Sequence, residues 1–254
     1  SGHRTYRDMD RLSIGIVAAA CLAVGCGGGG SDAEGGRYAS KVAELTPKIE
    51  KAVGLAFKTP PKVEARSRDS VEAFLRRRFE EDIPPAEFDG LTRTYKRFGL
   101  IPDTLRLKDF MLSLLTEQVA GYYDPSTKVL YVVDGAGDEM VNITLSHELV
   151  HALQDQYFSL DSLQQLRNDN DRQVAAQAAI EGQATYEQLS TMFGGRGFAE
   201  ALPGGWEQMR EAIRMSQSSM PIFSRAPTII QERLIFPYLS GAEFTKRFEE
   251  ANPG

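Results

Sequence analysis

The chain has 254 residues, of which 29 are Lys or Arg, 35 are Asp or Glu, 3 are His and 2 are Cys. This length can bury a full core, and 42% hydrophobic with 25% charged residues is typical of a globular protein. A net charge of −6 offers no basic surface for nucleic acid, and two Cys exclude a disulfide framework and a four-cysteine zinc site.

The N-terminal segment has the pattern of an export signal. Three arginines precede an apolar run over residues 12–24, which is shorter than the roughly 20 residues of a membrane span. The small residues before Cys26 and the glycines after it resemble the lipobox of bacterial lipoproteins, in which the Cys carries the lipid. Residues 1–25 are therefore predicted to be a lipoprotein signal peptide, with lipid attachment at Cys26. Lipidation at Cys21 and a plain cleaved signal are the alternatives.

The remaining chain is predicted to form one domain. Residues 26–36 are glycine-rich and predict a flexible linker, and no second linker or repeat interrupts residues 37–254. Apolar residues at helical spacing predict helices over residues 38–53, 71–80, 85–99, 104–118, 139–157, 172–192, 206–215 and 228–250. Pro47 and Pro237 are expected to interrupt the first and the last of these helices.

The amino-acid composition changes in the middle of the chain. Residues 119–123 and 128–133 are rich in Val and Tyr and flank a turn that contains Pro125, which predicts a β-hairpin. Residues 62–65 predict one more short strand. A mostly helical chain with one small sheet belongs to the α+β class.

The helix predicted over residues 139–157 contains the sequence His-Glu-Leu-Val-His at positions 147–151. Four helical residues rotate by about 400° and rise about 6 Å, so His147 and His151 project from one face and can hold one zinc ion. Glu148 lies about 100° away, where its carboxylate can reach a zinc-bound water and act as a general base.

The surroundings of this pair argue against the alternative, a helix with two surface histidines. Val141, Leu145, Leu149 and Leu153 form an apolar stripe on the side of the helix away from the histidines. A helix with apolar residues on both sides suits an element that is buried between layers.

A catalytic zinc site needs a third protein ligand. The third histidine, His3, lies in the predicted signal peptide, and no Cys follows Cys26, so the ligand is expected to be a carboxylate. Glu181 is the best candidate, because it lies among small residues of the next long helix, where two helices can approach closely. Glu187 is the rival on the same helix, but a net rotation of about 240° separates the two side chains.

The His-Glu-x-x-His helix followed by Glu181-Gly-Gln-Ala resembles the gluzincin clan of zinc metallopeptidases. Residues 117–125, 129–133 and 147–156 are similar to bacterial lipoprotein members of this kind. The resemblance implies a zincin-like fold with one zinc ion held by His147, His151 and Glu181, and Glu148 as the catalytic base. It also implies that the strand Val129–Val133 is an edge strand that binds an extended peptide.

Three further positions are candidates for supporting roles at the site. Thermolysin-type relatives stabilise the oxyanion with a downstream His, which this chain lacks. Tyr238 and Tyr186 are the candidates for that role, and packing is the alternative for both. Asp155, four residues after His151, is a candidate for orienting an imidazole or else a solvated carboxylate at the helix end. Because proteins of this group continue beyond such a helix, truncation of the domain after residue 254 is a further expectation.

These observations predict a zinc-dependent metallopeptidase of the bacterial cell envelope, which acts on a peptide or protein substrate and does not bind nucleic acid. It would be exported and anchored by its N-terminal lipid in the inner or the outer membrane. One alternative is a non-catalytic envelope lipoprotein that keeps a zincin fold for assembly or binding. Another is a hydrolase of peptidoglycan amide bonds.

Overall fold

The structure, a computed structural model, describes residues 31–82, 84–135, 137–160, 170–195, 197–198 and 205–252. For residues 31–37, 80–82 and 170 it describes the backbone alone. The predicted signal peptide, residues 1–25, and Cys26 lie outside the described residues. Within the described part, no helix combines the length and the apolar character that a membrane span requires.

The described residues form eight α-helices and three strands, which confirms the α+β class. The helices are α1 (Ser31–Val53), α2 (Arg68–Asp82), α3 (Pro85–Arg97), α4 (Leu107–Gln118), α5 (Asp138–Tyr157), α6 (Asn170–Met192), α7 (Gly205–Ser218) and α8 (Thr228–Ala251). The strands are β1 (Lys62–Arg66), β2 (Gly121–Asp124) and β3 (Val129–Val133).

The strands form one mixed sheet in the order β1-β3-β2. β2 and β3 pair antiparallel with Tyr122 opposite Tyr131, so the predicted hairpin is confirmed. β1 pairs with β3 in parallel, with Glu64 opposite Tyr131. The prediction that β3 is an edge strand is therefore wrong, because β1 covers the side of β3 that a hairpin alone would leave open. The edge strands are β1 and β2.

Each face of the sheet packs against helices, because alternate side chains of a strand point to opposite faces. Tyr123, Leu130 and Val132 face α1 and α5 in one apolar cluster. Tyr122 and Tyr131 face the opposite cluster, which includes α2 and α4. Helix α5 therefore lies on the sheet with its apolar stripe inward.

Helix α6 packs on α5, and α8 packs on α6. The α6–α8 contact is backbone to backbone: a Cβ atom on Gly182 would lie 2.0 Å from the carbonyl carbon of Gly241. A Cβ atom on Gly241 would lie 2.0 Å from the carbonyl oxygen of Ala178. Both positions thus require glycine, and the small residues around Glu181 bring α8, as well as α5, close to this part of α6.

Two helices run through an internal proline where the sequence predicts an interruption. Helix α1 is continuous past Pro47, with Val42, Leu45 and Ile49 buried on both sides of it. Helix α8 is likewise continuous through Pro237. A proline in a helix interior costs about 3 kcal/mol, which the packing of the flanking buried residues offsets. Helix α1 also begins at Ser31, so residues 31–36 of the predicted linker belong to it.

Candidate metal centre

Helix α5 places two histidines on the side facing away from the sheet. The Nε2 atoms of His147 and His151 lie 3.1 Å apart, and each side chain is about 1% exposed. The helical turn between them brings both nitrogens to one point, as the sequence spacing predicts.

Helix α6 brings Glu181 to the same point. Its Oε2 atom lies 3.3 Å from Nε2 of His147 and 3.3 Å from Nε2 of His151. The three residues form a buried group that could hold a metal ion. Glu187 is also fully buried on α6 but lies outside this group.

The distances among the three atoms fit a tetrahedral metal site. Ligand atoms about 2.0–2.1 Å from a tetrahedral zinc ion lie about 3.3 Å from one another. The observed separations of 3.1, 3.3 and 3.3 Å match that geometry. Two imidazole nitrogens with one carboxylate oxygen are a donor set typical of zinc, with the fourth position left for another ligand.

The charges of the group also favour a cation. Burial alone would raise the pKa of Glu181, but the neighbouring imidazoles outweigh it and lower this pKa to about 2. Burial lowers the pKa of His147. Burial likewise opposes protonation of His151, but the charge of Glu181 raises the pKa of that ring to about 9. The ionised carboxylate therefore favours a positive charge beside it, which a proton or a metal ion can supply.

Glu148 lies beside the group without belonging to it. Its Oε2 atom accepts a hydrogen bond of 2.8 Å from the backbone N–H of Tyr123 in β2. Its Oε1 atom is buried and has no hydrogen-bond partner among the described residues. Burial raises the pKa of Glu148 to about 8. A buried carboxyl oxygen that lacks a hydrogen-bond partner is suited to accept a hydrogen bond from a bound water or substrate.

Sequence reasoning missed two glutamines that contact the histidines. Oε1 of Gln154 lies 2.8 Å from Nδ1 of His151, and Oε1 of Gln188 lies 3.3 Å from Nδ1 of His147. A signal for both exists in the spacing. Gln154 is one helical turn after His151, and Gln188 is seven residues after Glu181, which returns to nearly the same side of α6.

Asp155 has neither of its two predicted roles, because none of its hydrogen bonds here goes to an imidazole and its side chain is only 1% exposed to solvent. It accepts hydrogen bonds from the hydroxyl of Tyr123 at 2.7 Å and from Nζ of Lys128 at 2.6 Å. Its Oδ1 atom also accepts from the backbone N–H of Leu160 at 3.2 Å. Asp155 therefore joins the β2–β3 hairpin to the end of α5, and Gln154 is the residue that contacts His151.

The two candidate tyrosines differ in position. The Tyr238 ring lies 6.0 Å from the His147 ring, centroid to centroid, and both side chains line one small cavity. The Tyr186 ring packs on Phe198 at 5.6 Å in a neighbouring apolar cluster. Of the two, Tyr238 is the one that the structure brings to the cavity beside the histidines.

One small cavity lies beside His147 among the described residues. The cavity measures about 20 Å³ and is bounded by α5, α6, α7 and α8, including Ile213 of α7. A site of this volume has room for about one water molecule. A wider cavity of about 620 Å³ lies elsewhere, between α2, α3 and the start of α4.

No protein-family model matches the chain, no curated protein is significantly similar to it, and no solved structure matches it. The function is therefore inferred from the residues and geometry of the site.

Proposed function

We propose that this protein is a zinc-dependent metallopeptidase that hydrolyses peptide bonds. The observation that carries the proposal is the position of Glu148 next to a buried His147-His151-Glu181 group. A purely structural metal site has no use for a further buried carboxyl group with an unpartnered oxygen, whereas hydrolysis requires a base at this place.

The side chains have separate tasks in this reaction. His147, His151 and Glu181 would hold the zinc ion, which when bound polarises a carbonyl and acidifies a water molecule. Glu148 would take a proton at Oε1, which has no hydrogen-bond partner among the described residues, and pass it to the leaving amine. Its raised pKa of about 8 suits both accepting and returning a proton near neutral pH.

The backbone of β2 supports a location for the substrate. Val133 N–H donates to the Ala120 carbonyl and Lys128 N–H to the Asp124 carbonyl, so alternate residues of β2 face β3. Gly121 and Tyr123 therefore direct their backbone groups to the outer edge. Because the Tyr123 N–H is bonded to Glu148, an extended peptide added along this edge would run past the base. The substrate strand is thus proposed to be β2 instead of β3.

The cellular setting of this activity is also a proposal. It rests on residues 1–26, whose pattern indicates export and a lipid anchor at Cys26 in the bacterial cell envelope.

The narrow cavity favours a second candidate function. A cavity with room for about one water molecule also fits a non-catalytic zincin-fold lipoprotein. In such a protein the metal ion would stabilise the fold. The two functions differ in whether Glu148 matters for cleavage.

The decisive experiment compares the wild type with Glu148→Gln on a peptide library and measures bound zinc in both. We expect about one zinc ion per chain in both proteins, and cleavage by the wild type alone. Glu187→Gln is the matched control, because it changes another fully buried carboxylate outside the metal group. Cleavage by Glu148→Gln at the wild-type rate would refute the assigned base, and a zinc-loaded wild type that cleaves nothing would favour the non-catalytic function.

A further inference from the structure

Each histidine of the metal group meets the side-chain oxygen of one buried glutamine. Gln154 on α5 faces Nδ1 of His151, and Gln188 on α6 faces Nδ1 of His147. Both glutamines are less than 8% exposed. Neither contact uses the Nε2 atoms, which converge on Glu181.

The orientation of both amides follows from their other contacts. Nε2 of Gln154 donates to the Ile180 carbonyl at 3.0 Å and to Oε1 of Gln183 at 3.0 Å. Nε2 of Gln188 donates to the Ile143 carbonyl at 3.0 Å. A backbone carbonyl can only accept, so turning either amide over would place two oxygens against each other. The amide oxygens therefore face the imidazoles.

An amide oxygen accepts only, so the imidazole nitrogen beside it must carry the hydrogen. This requirement assigns Nδ1–H to both rings, so in their neutral form both Nε2 lone pairs are directed at the Glu181 carboxylate. Three acceptor atoms then face one another at 3.1–3.3 Å, an arrangement that a cation stabilises.

We infer that Gln154 and Gln188 are positioning residues that fix both histidines in the Nδ1–H form, so that each presents Nε2 to the metal. The inference rests on the proposed zinc site and specifies how this chain prepares it. Carboxylates, backbone carbonyls and water are the usual partners of metal-binding histidines, and here neutral amides take that place.

The same two glutamines also join the helices that supply the ligands. Gln154 reaches from α5 to Ile180, the residue before Glu181, and Gln188 reaches from α6 to Ile143, one helical turn before His147. Each amide thus accepts from an imidazole and donates to the opposite helix. A role limited to joining helices would depend on the donated hydrogen bond, whereas positioning of the ring depends on the accepted one.

Substitutions separate these two roles. Methionine has a similar length and removes both hydrogen bonds, so Gln154→Met and Gln188→Met should each weaken zinc binding by about 10–100-fold. Glutamate restores the acceptor but, when ionised, cannot donate to the carbonyl, so Gln154→Glu and Gln188→Glu should recover most of the lost affinity. The matched control is Gln217→Met, which removes a buried amide that bonds to Gln118 at 3.2 Å. It should leave zinc affinity unchanged.

Nitrogen NMR of the zinc-loaded protein, labelled at histidine, reads the tautomers directly. We expect a protonated Nδ1 on both His147 and His151, slow to exchange because both rings are buried. Protonated Nε2 atoms, methionine variants with wild-type affinity, or glutamate variants as weak as the methionine ones would each overturn the inference. Wild-type protein that shows these tautomers and affinities but cleaves no peptide would overturn the proposed function alone.

Discussion

The backbone N–H of Tyr123 donates to Oε2 of Glu148 across 2.8 Å, which joins the edge strand β2 to the helix that carries the metal ligands. The bond occupies one oxygen of the carboxyl group and leaves Oε1 for chemistry. Since the hydroxyl of the same Tyr123 donates to Asp155, the strand is attached to α5 at two points about two helical turns apart. These two hydrogen bonds therefore hold the β2 edge against Glu148.

Replacing Glu181 should affect metal binding far more than replacing Glu187. Glu181→Gln removes the only charged donor of the group, and we expect zinc affinity to fall by more than about 100-fold, beyond the usual effect of losing an outer partner. Glu187→Gln makes the same change on the same helix at a buried position outside the group. Competition with a chelator measures both affinities, and equal values would assign the third ligand elsewhere.

The pKa of Glu148 predicts how the stability of chelator-treated protein depends on pH. Burial raises this pKa from 4.5 to about 8, so the folded state keeps the proton over a range in which the unfolded chain loses it. The stability that Glu148 contributes is complete below pH 4.5 and is lost as the pH rises towards 8. Glu148→Gln cannot ionise. Its free energy of unfolding, relative to that of the wild type, should therefore rise by up to about 5 kcal/mol across this window. Urea unfolding at several pH values tests this, and parallel curves would contradict it.

The glycine contact between α6 and α8 predicts that an added methyl group at Gly241 strongly destabilises the protein. Gly241→Ala would bring a Cβ atom to 2.0 Å from the Ala178 carbonyl oxygen, and neither backbone can yield without separating the helices. We expect the free energy of unfolding to fall by about 3 kcal/mol or more. Zinc binding should also weaken, because Glu181 would be displaced.

Gly90→Ala is the control for this substitution. Gly90 lies in α3, and an added Cβ atom there meets nothing within 4 Å, so alanine should stabilise the protein by up to about 1 kcal/mol. Thermal unfolding of both variants should show shifts of opposite sign. Similar shifts would mean that the helices are not in close contact at Gly241.

Tyr238 is expected to stabilise the oxyanion of the proposed reaction. Tyr238→Phe keeps the ring that packs near His147 but removes the hydroxyl, and kcat should fall by about 100-fold with little change in bound zinc. Tyr186→Phe, in which the ring stays against Phe198, should keep kcat near the wild-type value. A larger effect at Tyr186 would reverse the assignment.

The relative positions of side chains on one helix can be predicted from the sequence, because they depend on helical spacing. The turn between His147 and His151 and the separation of Glu181 from Glu187 both follow from the rotation per residue, and the small residues around Glu181 favour it as the ligand. The central position of β3 does not, since it depends on β1, a strand of alternating charged and apolar residues more than sixty positions earlier. The seven-residue spacing from Glu181 indicates the side of α6 on which Gln188 lies, but its contact with His147 depends on the packing of α6 on α5.

The continuity of α8 through Pro237 is another feature that local sequence rules do not predict. A proline predicts an interruption by local rules, but buried neighbours such as Ile235 and Leu239 hold the helix in place. Tertiary packing outweighs the local preference at this point.

The contact of Gly182 with Gly241 has a consequence for which wall of the cavity beside His147 can move. Helices held backbone to backbone cannot separate by side-chain rotation, so the wall formed by α8 is the stationary side of the cavity. Helix α7 borders the same space through the side chain of Ile213, and such a contact can change by rotamer adjustment and a small tilt. If this cavity widens, we therefore expect the movement on the α7 side, and a cross-link that fixes α7 to α6 should keep the cavity closed.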